Sequence, residues 1–133
     1  MNISMNRTGA FTKCLNSLSY KRAELILAHS LMLTTFDTVL KSLGLYVYIT
    51  EYYRSSKRQV ALYRKNLSKT LKSKHILGLA IDIAIINSKG EFLTDFDTDM
   101  YQRMGEWWEA HDGIWGGRWK IGGRYDIYHF EHN

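Results

Sequence analysis

Residues 73–82 read Ser-Lys-His-Ile-Leu-Gly-Leu-Ala-Ile-Asp, and the rest of the chain is expected to fold around this stretch. His75 and Asp82 are strong ligands for a divalent metal, but seven residues rise about 10 Å in a straight helix and span about 23 Å in a straight strand. The ligand atoms of one metal ion lie within about 4 Å of each other. We therefore expect the chain to bend between the two residues, and Gly78 is the residue that tolerates a bend.

The residues after this glycine predict a buried strand. Residues 79–86 are all apolar except Asp82, which is typical of a strand covered on both faces. A lone carboxylate in such a run is costly unless a cation or hydrogen bonds satisfy it. Two interpretations of the stretch stay open: a metal-binding pair, or an edge histidine beside a hydrogen-bonded aspartate.

The C-terminal stretch 126–131, Asp-Ile-Tyr-His-Phe-Glu, adds a third candidate ligand. His129 is flanked by two carboxylates, so the chain offers two histidines, one aspartate and a spare acid. A catalytic zinc site uses three protein ligands, an open fourth position and a nearby base. In a regular strand His129 and Glu131 share a face, whereas Asp126 falls on the other. Asp126 can therefore reach the metal only if the chain turns before His129.

Taken together, these motifs resemble a known metallopeptidase family. They are Ser-x-His-x-x-Gly-x-Ala-x-Asp at 73–82, Trp-Gly-Gly-x-Trp at 115–119 and Asp-x-x-His-Phe-Glu at 126–131. In this order they are similar to VanY-type D-Ala-D-Ala carboxypeptidases and phage L-alanyl-D-glutamate endolysins, which are related in fold to lysostaphin and the Hedgehog signalling domain. Residues 51–63 resemble the family's upstream arginine segment, so the match runs from about residue 46 to residue 131.

The resemblance implies a ligand set and a base. His75, Asp82 and His129 would hold Zn²⁺, and Asp126 would accept the proton of the attacking water. Glu131 is the alternative base if the last strand is regular, and it otherwise suits the role of orienting a ligand histidine.

Four further residues have a functional and a structural interpretation. By resemblance Arg54 would stabilise the developing oxyanion, although a surface arginine is an ordinary finding. Ser73 either contacts substrate or holds its loop. Trp115 and Trp119 either line the substrate groove or fill the core.

The composition indicates one folded domain, residues 1–133. Apolar residues make up 45% and aromatic residues 14% of the chain, which argues against disorder. The single cysteine, Cys14, excludes an internal disulfide. A net charge of +5 suits an anionic partner. A basic-aromatic cluster around Arg54 could stack on nucleic acid, but no nucleic-acid-binding fold is recognisable, so no nucleic-acid partner is expected.

The predicted fold class is α+β, a small antiparallel sheet carrying the zinc site with helices packed on one side. Apolar periodicity predicts helices and strands. The helices are 20–43, with a possible break at 34–35; 57–65, with Val60, Ala61 and Tyr63 inward; and about 98–111, capped by Asp97 or Thr98. The strands are 46–50, 79–86 and a last strand that follows a Gly- and Trp-rich loop over 114–125.

No secretory signal is expected, because the first 20 residues lack a sufficient apolar core. The most apolar run, residues 23–34, is too short and polar to span a bilayer, so no integral membrane segment is expected. We expect synthesis in the cytoplasm and action on the cell wall after release. Residues 1–10 are expected to be poorly ordered. We expect no separate wall-binding domain, and we expect the protein to be a monomer.

The function that this set favours is a peptidoglycan stem-peptide hydrolase. An L-alanyl-D-glutamate endopeptidase of the phage endolysin type is preferred over a D-Ala-D-Ala carboxypeptidase or dipeptidase. A catalytically inactive relative that keeps the zinc site only to bind the wall is a third alternative. The presence of Asp126 argues against it, because a protein that only binds needs no base.

Overall fold

The structure, a computed structural model, describes residues 17–68 and 70–133. The predictions for residues 1–10 and for Cys14 lie outside the described residues. We number the main elements in chain order: α1 (Leu18–Ser42), β1 (Tyr46–Glu51), α2 (Ser56–Arg64), β2 (Ala80–Ile86), β3 (Phe92–Leu93), α3 (Met100–Ala110), β4 (Ile114–Trp115), β5 (Lys120–Ile121), β6 (Arg124–Tyr125) and β7 (His129–Glu131). A short 3-10 turn, Gly116–Arg118, follows β4.

Strand β2 is the centre of an antiparallel sheet with the order β1-β2-β7-β4, and β3 pairs with the far end of β2. One face of β2 carries Ile81, Ile83 and Ile85, which are buried in a core with α1 and α3. The other face carries Asp82, because successive strand residues point to opposite sides. The predicted α+β class is confirmed, and the sheet presents its polar residue on the face away from the core.

Helix α1 runs unbroken, so the possible break at 34–35 is wrong. Thr34 and Thr35 donate their hydroxyls to the carbonyls one turn back, at 2.9 and 2.7 Å, which satisfies these groups without interrupting the helix. Ser17 caps the N-terminus by accepting from the Tyr20 N–H at 3.1 Å. Gly44, with φ of +65°, lets the chain leave the helix.

By length and composition α1 could also cross a membrane. Its apolar window is 33% buried against the rest of the protein, and core helices and signal sequences meet the same criterion. The expectation that the chain has no membrane segment therefore stays a prediction.

Helix α2 begins where the sequence indicates but faces differently. Ser55 accepts from the Arg58 N–H at 3.1 Å and caps the helix, as its position predicts. Val60, Ala61 and Tyr63 are exposed, so the prediction that they point inward is wrong. The buried residue is Gln59, which is fully enclosed because its amide bonds to neighbouring polar groups.

Helix α3 is buried along Met100, Tyr101, Met104 and Trp108. The predicted cap is one or two residues early: Asp99 occupies the cap position and makes no side-chain cap bond. Thr98 instead accepts from the first helical N–H at 3.2 Å.

Candidate metal centre

Three side chains from distant parts of the chain converge at one point beside the sheet. The Nε2 atom of His75 lies 3.1 Å from Oδ1 of Asp82 and 3.2 Å from Nδ1 of His129. The same Asp82 oxygen lies 3.0 Å from the His129 Nδ1. The set predicted from the sequence is therefore brought together, although its role as a ligand set stays a prediction.

The sheet register and one glycine explain this convergence. Asp82 on β2 is paired directly with His129 on β7, so their side chains lie on the same face of the sheet. Gly78 has a φ of +68°, a conformation that favours glycine. The chain reverses there and returns His75 to the start of β2, as the seven-residue spacing predicts.

The donor set fits a zinc ion. Ligand atoms about 2.0–2.2 Å from zinc at tetrahedral angles lie roughly 3.3–3.6 Å apart, and the observed separations of 3.0–3.2 Å are close to that range. Imidazole and carboxylate groups are usual zinc ligands, and a set of three protein ligands leaves a fourth coordination position for water or substrate.

Each candidate ligand is oriented by a further partner. His75 Nδ1 lies 3.0 Å from the Tyr52 carbonyl, so it carries the proton and leaves Nε2 as the ligand atom. His129 Nε2 lies 2.9 Å from Oε1 of Glu131, which likewise leaves Nδ1 toward the metal. Lys74 holds the other oxygen of Glu131 at 2.8 Å. Such outer contacts fix ring orientation and strengthen the ligands.

These contacts support the role of Glu131 as an orienting residue. Both of its oxygens are engaged, one by His129 and one by Lys74. Burial acts to raise the pKa of Glu131, but the two hydrogen bonds outweigh it and lower the pKa. A carboxylate held in this way is a poor acceptor for the proton of an attacking water.

Asp126 reaches the site because the backbone turns before β7. Residues 127–128 form a turn, closed by a bond from the His129 N–H to the Asp126 carbonyl at 3.2 Å. A side chain at Gly116 would collide with this carbonyl, at 2.4 Å, so the glycine lets the turn pack. The turn before His129 that Asp126 needs in order to reach the site is therefore present.

The environment of Asp126 suits a proton acceptor. None of the described residues donates a hydrogen bond to its carboxylate. Burial raises the pKa of Asp126 above its usual range, and the nearby Asp82 adds to this while His129 opposes it. A carboxylate with a raised pKa binds a proton more strongly, which favours a general base.

The remaining candidates divide between cleft and core. Arg54 is buried, with two nitrogens on Glu51 at 2.8 and 2.9 Å and a third on Gln59 at 2.7 Å. One of these nitrogens also lies 3.6 Å from the outer oxygen of Asp82. Arg54 thus positions Asp82, and its role toward an oxyanion stays a prediction.

Ser73 and Trp119 line the cleft, whereas Trp115 does not. The Ser73 hydroxyl accepts from the His75 N–H at 3.2 Å, so it holds the ligand loop. Trp119 contacts the His129 ring, with centroids 5.1 Å apart. Trp115 is 4% exposed and donates to the Ile127 carbonyl at 2.8 Å. The interpretation of Trp115 as a groove residue is corrected: it fills the core below the Asp126 turn.

Sequence reasoning missed Lys74, Glu51 and Gln59, because their partners depend on how loops fold over the sheet. The only available signal was their position beside a candidate ligand or in the arginine segment. His132, the residue after β7, is buried and contacts Glu24 of α1 through Nε2, at 2.5 Å.

The protonation of His129 leads to a prediction about zinc binding. Burial lowers the pKa of His129, but hydrogen bonds to Asp82 and Glu131 outweigh it and raise the pKa to about 9. At pH 7 the metal-free ring is therefore protonated and must lose that proton to bind metal. We expect zinc uptake to release about one proton and zinc affinity to rise as the pH approaches 9. Calorimetric titration in two buffers with different ionisation enthalpies measures the release, and its absence at pH 7 would contradict this protonation state.

A large cleft opens over the site. Its volume is about 1150 Å³, and its lining includes the three candidate ligands and Asp126. Six cationic side chains line it: Arg54, Arg58, Lys72, Lys74, Lys120 and Arg124. Asp82 and Asp126 also line a smaller cavity of about 390 Å³. The candidate centre therefore borders two spaces that could hold the two sides of an extended substrate.

Known proteins resemble the chain in sequence and in fold. The profile of a family described as D-alanyl-D-alanine carboxypeptidase matches residues 66–132, whereas no curated protein matches the chain significantly. The L-Ala D-Glu endopeptidase ChiX of Serratia marcescens has a similar structure, with a TM-score of 0.55 and 22% identity over 90% of this chain and 95% of its own. A Zn(II)-bound mutant of the vancomycin resistance D,D-pentapeptidase VanY, from a VanB-type cassette, has a TM-score of 0.48 and 16% identity over 77% of this chain and 69% of its own. The likeness to ChiX supports the fold.

Proposed function

The chain belongs to the D-alanyl-D-alanine carboxypeptidase family of zinc metallopeptidases, whose profile spans residues 66–132, and from this premise we propose that it cleaves peptidoglycan stem peptides at the internal L-Ala–D-Glu bond. The family and the zinc cofactor predicted from the sequence are thereby confirmed. The bond that is cut, the role of each residue and action on the wall after release from the cytoplasm are our proposal.

The position of the site beside two cavities carries this proposal. Asp82 and Asp126 line both the large cleft and the smaller cavity. An endopeptidase must accommodate substrate on both sides of the scissile bond, whereas a carboxypeptidase needs a closed end with a cation for the terminal carboxylate. A centre that borders two spaces favours the endopeptidase.

The residues around the centre have complementary roles in the proposed reaction. Zinc bound by His75, Asp82 and His129 would polarise the scissile carbonyl and lower the pKa of water. Asp126 accepts the proton of the attacking water and passes it to the leaving amine. Glu131 keeps the ligand nitrogen of His129 turned toward the metal, because it binds the opposite nitrogen.

The cations of the large cleft suit the carboxyl side of the L-Ala–D-Glu bond. D-Glu carries a free carboxylate when its side chain forms the next peptide link. Lys72, Lys120 and Arg124 line this cleft and can attract that charge.

A D-Ala-D-Ala carboxypeptidase is the second candidate, and it depends on a cation that could bind a terminal carboxylate. Arg54 is already bonded to Glu51 and Gln59, and Arg118 forms a paired contact with Glu109. Arg124 lines the cleft and, of these three arginines, is the candidate that remains for a terminal carboxylate.

Mass spectrometry of purified sacculi after digestion distinguishes the two activities. We expect released stem peptides with a new N-terminal D-Glu, because the substrate can extend past the centre on both sides. Protein lacking zinc is the control. Free D-Ala as the sole product would contradict the endopeptidase and support the carboxypeptidase.

A further inference from the structure

The smaller cavity, which we call the small pocket, is lined by Thr50, Ala84, Phe92 and Tyr128 among others, with Asp82 and Asp126 at the metal end. Its volume of about 390 Å³ is within the range of small-molecule sites. The pocket is continuous with the proposed reaction centre through the two aspartates. A group bound there would therefore be joined to the scissile bond over a short distance.

The geometry of β2 explains the position of this pocket. Asp82, Ala84 and Ile86 alternate on the face away from the core, so Ala84 lies about 7 Å along the strand from Asp82. The small side chain of Ala84 leaves room above the sheet. Strand β3 closes one side, because Phe92 is paired with Ile86.

Phe92 presents an exposed ring at the rim of the pocket. It is 63% exposed, and the ring of Tyr48 on β1 supports it from behind, with centroids 5.9 Å apart. An aromatic ring held in place by a neighbour offers a flat apolar surface at little entropic cost. The non-polar face of a sugar ring is a chemical match for such a surface.

The small pocket lacks the cations of the large cleft. Its charged lining residues are Asp82 and Asp126, which both spaces share, and Asp95 and Asp97 follow Thr94 on the exposed loop at its edge. The large cleft instead contains Lys72, Lys120 and Arg124 among its cations. An anionic group is attracted to the cleft, whereas the pocket favours a group without negative charge.

We propose that the small pocket binds the N-acetylmuramoyl end of the substrate, with Phe92 as the ring on which the sugar stacks. This inference rests on the proposed cut between L-Ala and D-Glu, since L-Ala is there joined by an amide to the lactyl group of the sugar. That linkage consumes the lactyl carboxylate, so the amino side of the bond is uncharged while the D-Glu side is anionic. The substrate then lies with its glycan toward Phe92 and its peptide in the basic cleft.

Binding of two small probes tests the proposal without requiring hydrolysis. N-acetylmuramoyl-L-alanine carries the sugar, whereas N-acetyl-L-alanine has the same methyl group and carboxylate without it. We expect the zinc-loaded protein to bind the muramoyl probe at least about tenfold more tightly, a difference of about 1.4 kcal/mol. NMR titration measures both affinities.

Two variants test whether the preference for the muramoyl probe depends on the ring of Phe92. We expect Phe92→Ala to weaken the muramoyl probe about tenfold and Phe92→Trp to restore most of the affinity. Phe96→Ala is the matched control, because Phe96 is a nearby aromatic that is 95% exposed and does not line the pocket. Equal affinity for the two probes, or wild-type affinity in Phe92→Ala, would overturn the proposal. Probe binding with this pattern in a protein that leaves sacculi uncut would reject the endopeptidase alone.

Discussion

Replacing His75 or His129 by alanine is expected to strip zinc from the protein and abolish hydrolysis together. The three candidate ligand atoms lie 3.0–3.2 Å apart, so one ion shares all of them and each loss leaves only two protein ligands. Even the loss of an outer partner commonly weakens metal binding by about 10- to 100-fold, and we expect a larger effect from a ligand. Zinc content by mass spectrometry and hydrolysis of sacculi measure the two losses.

His111→Ala is the matched control for this experiment. His111 stacks on Trp107, with ring centroids 3.9 Å apart, and it does not line the cleft. Its replacement should leave one zinc per chain and full activity. Full zinc occupancy in a His75→Ala, His129→Ala double variant would rule out the assigned ligand set.

Asp126→Asn is expected to retain zinc and the fold but to lower kcat by about 10²–10⁴-fold. The amide has nearly the same shape as the carboxylate, yet it cannot accept the proton of the attacking water. Because only the ionised carboxylate is a base, wild-type activity should fall as the pH drops through the pKa of Asp126. The variant should lose that dependence in its residual activity. Kinetics on a soluble stem peptide across pH, with zinc content checked, measure the effect.

Glu131→Gln is the comparison that assigns the base. Glutamine keeps an oxygen that can accept from His129 Nε2, so we expect a smaller loss of hydrolysis than in Asp126→Asn. If the glutamine variant were the more damaged while both proteins held zinc, the base would be Glu131.

The candidate ligands could be predicted from the sequence, because their spacing restricts the backbone. The seven-residue gap between His75 and Asp82 required the reversal seen at Gly78, where φ is +68°. The apolar run around Asp82 predicted the central strand. The bend and the buried strand leave few other positions for His75 and Asp82. Their convergence with His129 was expected from the motifs and the family resemblance.

The surroundings of the site could not be predicted in the same way. The choice between Asp126 and Glu131 depended on a two-residue turn that composition does not reveal. Gln59 is buried against a loop rather than against apolar side chains: its amide donates to the Ser68 hydroxyl at 2.8 Å. Periodicity identifies apolar faces, so it misses polar residues that are buried by hydrogen bonding.

Because Asp82 and His129 lie on directly paired strands, the candidate metal site and the loops between the two residues can change independently during evolution. The paired strands fix the ligands, whereas 46 residues lie between them in the chain. The hairpin formed by β5 and β6 belongs to this intervening segment, and Gly122 and Gly123 at its turn are exposed. Exposed turns tolerate insertions and deletions. The hairpin, which lines the large cleft, can therefore lengthen or shorten and change the shape of that cleft while the paired strands stay as they are.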